Sequence, residues 1–278
     1  MSGELVETAV AAAEAAVEAI APYFRRDRLE VVAKGRKDFV TAADHASERA
    51  IVETILARYP GDRILSEEGT VNPAVTSERE WVIDPIDGTT NFLQGLPVWA
   101  VSIACRRGGE LLAGVVRDPE GRNLFTAERG AGAFRNGERL RVSARAGVDD
   151  AFLATGFPFR AEAALDLYLD IFRELFRHAR AIRRCGAAAL DLAYLAAGVY
   201  DGFFEFRLSP WDIGAGTLLV REAGGRVTDL DGGGRSFETG DVVAGGAAVQ
   251  PALLAAVRRH ASEALLDRLS PPRPVVPA

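Results

Sequence analysis

Apolar positions near the N-terminus recur at spacings of three and four: Leu5, Ala9, Ala13, Ala16, Ile20 and Phe24. That period places them on one face of an amphipathic helix. Glu4, Glu7, Glu14 and Glu18 interrupt the stretch and no basic segment precedes it, so it does not read as a secretion signal. "KGRKDFVTAAD" follows as a polar, basic and mobile connection. "HASERAIVETILARYP" predicts a second helix, stopped by Pro60 and Gly61.

The pattern then shortens. "DRILSEEG" predicts a strand ending in two glutamates, and "SEREWVID" brings the chain back as another. From Val98, "VWAVSIACRR", "LLAGVVRD" and "NLFTAE" are short apolar runs separated by "GG" and "PEG" turns. Asn136-Gly137 in "FRNGERL" carries a hairpin signature. These runs predict a meander rather than strict alternation of strand and helix.

The second half mixes the two periods. "EAALDLYLDIFRELFRHA", "AAALDLAYLAAG", "PWDIGAGTLLVREAGG" and "QPALLAAVRRHASEALLDRL" predict helices. "AIRR", "YDGFFEF", "GRVTDLDGGG" and "DVVAGG" predict strands and turns. No repeat and no long linker divides the chain. One α+β domain over about residues 1–270 is expected, with structural halves of about 1–146 and 147–270 and an extended Pro-rich tail at 271–278.

Composition narrows the function. The 278 residues carry a formal net charge of −6, a poor basis for nonspecific nucleic-acid or anionic-membrane binding. The two cysteines, Cys105 and Cys185, form no CxxC pair and are expected to be small buried thiols. The three histidines show no zinc-binding spacing. No apolar run is long enough to span a bilayer, and a cytoplasmic location is expected.

The candidate chemistry lies in "WVIDPIDGTTNF". Asp84 is expected to end an apolar strand, with Asp87 inside a tight turn and Gly88 and Thr89 at a helix N-terminus able to bind phosphate. Alone, this stretch is equally an Asx-type turn with solvated carboxylates. Further acids stand at element boundaries beside glycine: Glu67 and Glu68 after a strand, and Asp212 at the start of a helix. Clustered oxygen ligands of this kind suit Mg²⁺, and paired ions suit phosphoryl transfer.

"SEEG", "WVIDPIDGTTNF" and "PWDIGAGTLLVREAGG", in that order, resemble the inositol monophosphatase family of Mg²⁺-dependent, lithium-sensitive phosphatases. The resemblance spans roughly residues 5 to 268, and "TGFPFR" with "GAAALDLAYLAAGVYDGFFE" is similar to the bacterial inositol-1-monophosphatase branch. It implies a layered αβαβα sandwich of the type shared with fructose-1,6-bisphosphatase, the site between two sheets, a homodimer, and two or three Mg²⁺ per site.

The resemblance also implies roles. Glu67 would share the first metal and orient the attacking water; Asp84 would bridge two metals, and the Ile86 carbonyl would complete the first. Asp87 and Asp212 would hold the leaving-group metal and border the substrate. Thr89, oriented by Asp44, would hydrogen-bond the nucleophilic water. The Gly88 and Thr89 N–H groups would hold phosphate, while Glu205 and the Ala188 backbone would contact sugar-alcohol hydroxyls. Lys34 would be the lysine of a mobile loop.

Several positions keep two readings. Glu68 is read as a neighbour of the ligands rather than a ligand. Asp38 and Thr41 are read as caps of the second helix. Asp191 is open between a structural hydrogen bond and substrate contact. Trp81 and Trp211 are expected to wedge the scaffold. The activity expected is hydrolysis of inositol monophosphate by direct attack of water, without a phosphoenzyme. The alternatives are a related fructose-bisphosphate, histidinol-phosphate or nucleotide phosphatase, or a nucleic-acid or protein interaction role for the basic segment Arg173–Arg184.

Overall fold

A computed structural model describes residues 2–24, 31–35, 38–157, 162–262 and 265 of the chain. The first helix, α1 (Ser2–Ile20), forms as its spacing predicts and fully buries Ala9, Ala12, Ala13, Ala16 and Ile20. Small side chains along this face let it lie close against α2 (Ala42–Arg58), with which it shares one apolar cluster.

The polar connection between them is not simply a loose tether. β1 (Val31–Gly35) and β2 (Asp38–Thr41) pair antiparallel, corresponding to the β-branched and aromatic residues on either side of the charged tip. Lys34 falls in β1, but its side chain, like those of Asp38 and Thr41, lies outside the described residues.

The large sheet holds β3 (Arg63–Ser66), β4 (Arg79–Asp87), β5 (Ala100–Arg107), β6 (Glu110–Asp118), β7 (Asn123–Glu128), β8 (Gly132–Arg135) and β9 (Glu138–Arg139), in that spatial order. A short helix, α3 (Thr89–Leu93), separates β4 from β5. The expected meander runs from β4 to β9, and Asn136 and Gly137 turn the last hairpin with φ of 53° and 85°. The sheet departs from antiparallel pairing at one edge. β3 pairs parallel to β4, because residues 67–78 carry the chain back before β4 begins.

The small sheet is mixed. β10 (Phe152–Thr155), β11 (Ala181–Arg183) and β12 (Gly202–Glu205) are parallel neighbours. β14 (Val242–Gly245) pairs antiparallel with β12 and with β13 (Arg226–Thr228). The helices of this half are α4 (Leu165–His178), α5 (Ala188–Ala196), α6 (Pro210–Glu222), α7 (Ser236–Thr239) and α8 (Val249–Arg258). α7 was not expected. α8 ends earlier than predicted, and the Pro-rich tail lies outside the described residues.

Alternation along the strands assembles the layers. Ile83 and Ile103 face α1 and α2, whereas Val82 and Ala104 face α5 and α6. Phe203 and Ala244 of the small sheet meet the other side of α5 and α6. Leu153, Phe204 and Val243 turn outward onto α4 and α8. The result is an αβαβα sandwich, with α5 and α6 as the middle layer.

Candidate metal centre

β4 does not stop at Asp84. It continues to Asp87 through an irregularity: Asp84 pairs with Ser102 and Asp87 with Ala100, so β4 carries one extra residue. In a regular strand, residues three apart point to opposite faces. The extra residue resets the alternation and turns both carboxylates the same way. Pro85, which has no N–H for the ladder, stands inside the irregularity, and Ser47 of α2 donates to its carbonyl at 2.8 Å.

α6 delivers the third acid. Ser209 and Asp212 form a capping box, with Pro210 at the first helical position, and the Ser209 N–H donates to Asp212 Oδ2 at 2.6 Å. Asp84, Asp87 and Asp212 are all buried, and one ligand oxygen from each lies within 4.8 Å of the others. Glu67 joins this edge because the parallel pairing sets Ser66 against Ile83, and the Glu67 N–H donates to the Ile83 carbonyl at 3.2 Å. Glu68 is half-buried beside it.

Burial pushes Asp84 well above the usual carboxylate range, and the charges of Glu67, Asp87, Asp212 and Asp44 push it further. Asp87 rises to about 7, through burial and Asp212. Hydrogen bonds from the N–H groups of Leu190, Ala189 and Ala188 hold it back. These donors, at 3.4, 2.8 and 3.1 Å, are at the first turn of α5. The Ala188 backbone, assigned by resemblance to the substrate, gives its N–H to Asp87.

The donor set fits a hard divalent cation. Three buried carboxylates converge, no histidine or cysteine is among them, and they repel one another without a positive ion. The Ile86 carbonyl stands in the same turn, where it accepts the Thr89 hydroxyl at 3.1 Å, while the Ile86 N–H donates to Asp84 Oδ1 at 3.1 Å. Thr89 therefore gives its proton to Ile86, whereas Asp44, buried in α2, acts on Asp84 through its charge.

Gly88 makes this turn possible. Its φ is +89°, and a Cβ there would lie 3.0 Å from the Val98 carbonyl and 3.3 Å from that of Gly186. Asn91, not singled out from the sequence, ties the turn to the second half. Its amide donates to Val98 O at 2.7 Å and to Cys185 O at 2.9 Å.

Glu205, the last residue of β12, is buried beside the trio. Burial raises its pKa well above the usual range, with Asp191, Asp212 and Asp87 adding and Arg184 opposing. Its carboxylate rests on Gly156, where a Cβ would come within 1.8 Å of Oε1. Arg207, two residues beyond Glu205, faces Asp241 at 3.8 Å.

The scaffold readings hold for Trp81, which is fully buried, donates to Asp62 at 2.9 Å and stacks on Tyr59. Trp211 packs against the apolar cluster between the sheets, and its carbonyl accepts Ser102 at 3.4 Å. Both cysteines are free. Cys105 is buried and its thiol is pushed up to about 12, but Cys185 is only half-buried, 3.5 Å from the Tyr200 hydroxyl. Among the described residues no helix is long and apolar enough to cross a membrane.

The chain is 48% identical over 262 residues to the protein named Nus factor SuhB of Escherichia coli strain K12, covering 94% of this chain and 98% of that one. It is 45% identical over 231 residues to the inositol-1-monophosphatase of Rhizobium meliloti, covering 83% and 87%. Among solved structures, extragenic suppressor protein suhB from Bartonella henselae superposes with a TM-score of 0.89 at 40% identity, covering 93% and 100%. The inositol monophosphatase from Anabaena superposes at 0.83 with 34% identity, covering 93% and 97%. The model of the inositol monophosphatase family matches residues 2–263, and with the acidic trio and the layered sandwich in place the chain belongs to that family of phosphatases.

Proposed function

We propose that the protein is a Mg²⁺-dependent phosphomonoesterase that prefers monophosphates of polyols, with inositol 1-phosphate as the reference substrate. The observation that carries the substrate class is Glu205, a buried carboxylate beside the acidic trio. It can accept hydrogen bonds from hydroxyls and repels a second phosphate.

Asp84, Asp87, Asp212, Glu67 and the Ile86 carbonyl would hold the ions, which supply Lewis-acid activation of water and charge stabilisation of the leaving oxygen. The chain's own groups do the positioning. Thr89, its proton given to Ile86, takes a hydrogen bond from the attacking water and so aims a lone pair at phosphorus. Glu67 accepts from the same water. Gly88 and Thr89 offer backbone N–H groups to phosphate. Glu205 holds the alcohol, and Asp87 and Asp212 border it. No cysteine, histidine or serine–histidine pair stands among these groups, which supports direct attack by water.

A panel of phosphate esters assayed with titrated Mg²⁺ tests the reading. Inositol 1-phosphate should exceed fructose 1,6-bisphosphate, histidinol phosphate and 3′-phosphoadenosine nucleotides in kcat/KM. Preference for any of these others defeats the substrate class. Glu205→Gln should lower kcat/KM for inositol 1-phosphate roughly 10- to 100-fold relative to a hydroxyl-poor ester, the value of charge-assisted hydrogen bonds. Li⁺ should inhibit at millimolar levels in an uncompetitive pattern, and indifference at hundreds of millimolar would mark a divergent site.

A second reading concerns the partner, and α4 favours it. Leu165, Leu169 and Phe176 are exposed at 44%, 38% and 65%, and Phe172 stacks on Phe176. Spacings of four, three and four make one apolar stripe, about a quarter turn from the buried Tyr168, Ile171 and Leu175. Asp166 and Asp170 flank its first half and Arg173 and Arg177 its second. Two antiparallel copies would match acid to base about a two-fold axis, so the occupant proposed is a second copy of this chain. A nucleic-acid role is less favoured, since Arg173 pairs with Asp170 and Arg180 with Asp150. Sedimentation should show a dimer that Phe176→Glu dissociates. Salt-dependent RNA binding that survives Asp84→Asn would support the nucleic-acid role instead.

A further inference from the structure

Asp191 lies in the first turn of α5 and is 2% exposed. Its carboxylate receives no hydrogen bond from any described residue, although the N–H groups of the three residues before it all serve Asp87. Glu205, across on β12, is likewise buried and without a hydrogen-bond donor among the described residues. Buried acceptors of this kind are costly unless a donor meets them. The first turn of α5 abuts Asp87 through the N–H groups of Ala188, Ala189 and Leu190, and the charges of Asp191 and Asp87 act on Glu205 while that of Arg184 acts on both acids.

We propose that Asp191 is a substrate-binding residue that, together with Glu205, accepts hydrogen bonds from two hydroxyl groups of one polyol phosphate. This rests on the polyol reading given above and adds to it a second acceptor, placed by α5 rather than by β12. Two acceptors on different elements are satisfied together only by a ligand with at least two hydroxyls at a fixed separation. A ring or chain of adjacent hydroxyls meets that need, whereas a single alcohol leaves one carboxylate without a donor.

The alternatives for such a pair are weaker. The group of described acids able to share an ion is Asp84, Asp87 and Asp212, and Asp191 is not in it. Arg184 lowers the pKa of both Asp191 and Glu205, so part of their charge is already balanced and an additional cation gains less there. A neutral, donor-rich alcohol satisfies the oxygens without adding charge.

The experiment compares kcat and KM of wild type and Asp191→Asn for ethyl phosphate, glycerol 2-phosphate, inositol 1-phosphate and ethanolamine phosphate, at saturating Mg²⁺. Wild type should gain in kcat/KM with each added hydroxyl. In Asp191→Asn the ratio of kcat/KM for inositol 1-phosphate to that for ethyl phosphate should fall about tenfold, chiefly through KM. Free inositol should weaken as a product inhibitor by a similar factor. Asp191→Ser serves as a second variant if the first does not fold. A change in the ratio of less than twofold overturns the proposal, as does an equal loss of kcat on all four esters, which marks a structural role through α5. If wild type gains from hydroxyls and both variants keep that gain, only the role of Asp191 fails. If wild type shows no gain, or prefers ethanolamine phosphate, the polyol reading fails and the clamp with it.

Discussion

Stripping divalent metal from the protein should make its stability fall as pH rises from about 4 to about 7. The perturbation acts on Asp84, Asp87 and Asp212, whose oxygens lie within 4.8 Å of one another. At that distance each ionised pair costs roughly 3 kcal/mol at an effective dielectric constant of ~20. Asp87 relieves the cost by holding its proton up to about 7, against an ordinary value of 3.8. Between those limits the folded chain binds a proton that the unfolded chain has released. The contribution of Asp87 to stability therefore decreases with pH across that window and levels off above it. A difference of about three units corresponds to about 4 kcal/mol at most, or roughly 8–16 °C in Tm for a chain of this size. Asp84, Asp191 and Glu205 are raised as well and act in the same direction. Asp150 and Glu174, held low by Arg180 and Arg259, act only below the ordinary carboxylate range. The assay is thermal unfolding of chelator-treated protein from pH 5 to 8, with and without Mg²⁺. The metal should remove most of the decline, and Asp87→Asn should make it shallower without metal. A metal-free Tm that rises toward pH 8, or an unchanged slope in Asp87→Asn, refutes the reasoning.

Asp84→Asn should abolish phosphatase turnover while leaving the far-ultraviolet spectrum unchanged and raising the metal-free Tm, since it removes a charge that three or more neighbours oppose. A variant that retains activity in excess chelator would contradict the assigned centre. Gly156→Ala places a methyl against the Glu205 carboxylate and should reduce stability by about 1–3 kcal/mol and lower selectivity for polyol esters, as denaturant titration and the ester panel would show. Asn91→Ala removes one hydrogen bond to the Val98 carbonyl ahead of β5 and one to the Cys185 carbonyl before α5, and should cost about 1–3 kcal/mol by the same titration.

What the sequence made legible was local. The spacing of Leu5 to Ile20, the Asn136-Gly137 turn and the helix of "PWDIGAGTLLVREAGG" each depend on neighbours a few residues away, and each formed as expected. The parallel pairing of β3 was not legible, because it depends on where residues 67–78 travel rather than on the strand's own pattern. The polar composition around Lys34 concealed two short strands because charge at the tip outweighed strand formers on either side. α7 was hidden in a Gly-rich stretch whose composition reads as turn.

The metal centre shows where the boundary between legible and illegible lies. Its acids were found because each ends a strand or begins a helix beside glycine, where backbone can yield room to a ligand. The reason Asp84 and Asp87 point together was missed, although Pro85 within an apolar strand is the residue type that a bulge accommodates. The support for Asp87 was beyond any local pattern, since its donors lie 101 to 103 residues further along the chain. Asp191 stayed undecided for the same reason. Helical spacing gives its place on α5, but only the third dimension brings Glu205 near it and leaves both carboxylates without a donor. A carboxylate's role is thus set by which donors the fold supplies: Asp87 receives three N–H groups and is fixed for a cation, while Asp191, one residue beyond those donors, receives none and is left for a ligand that brings its own.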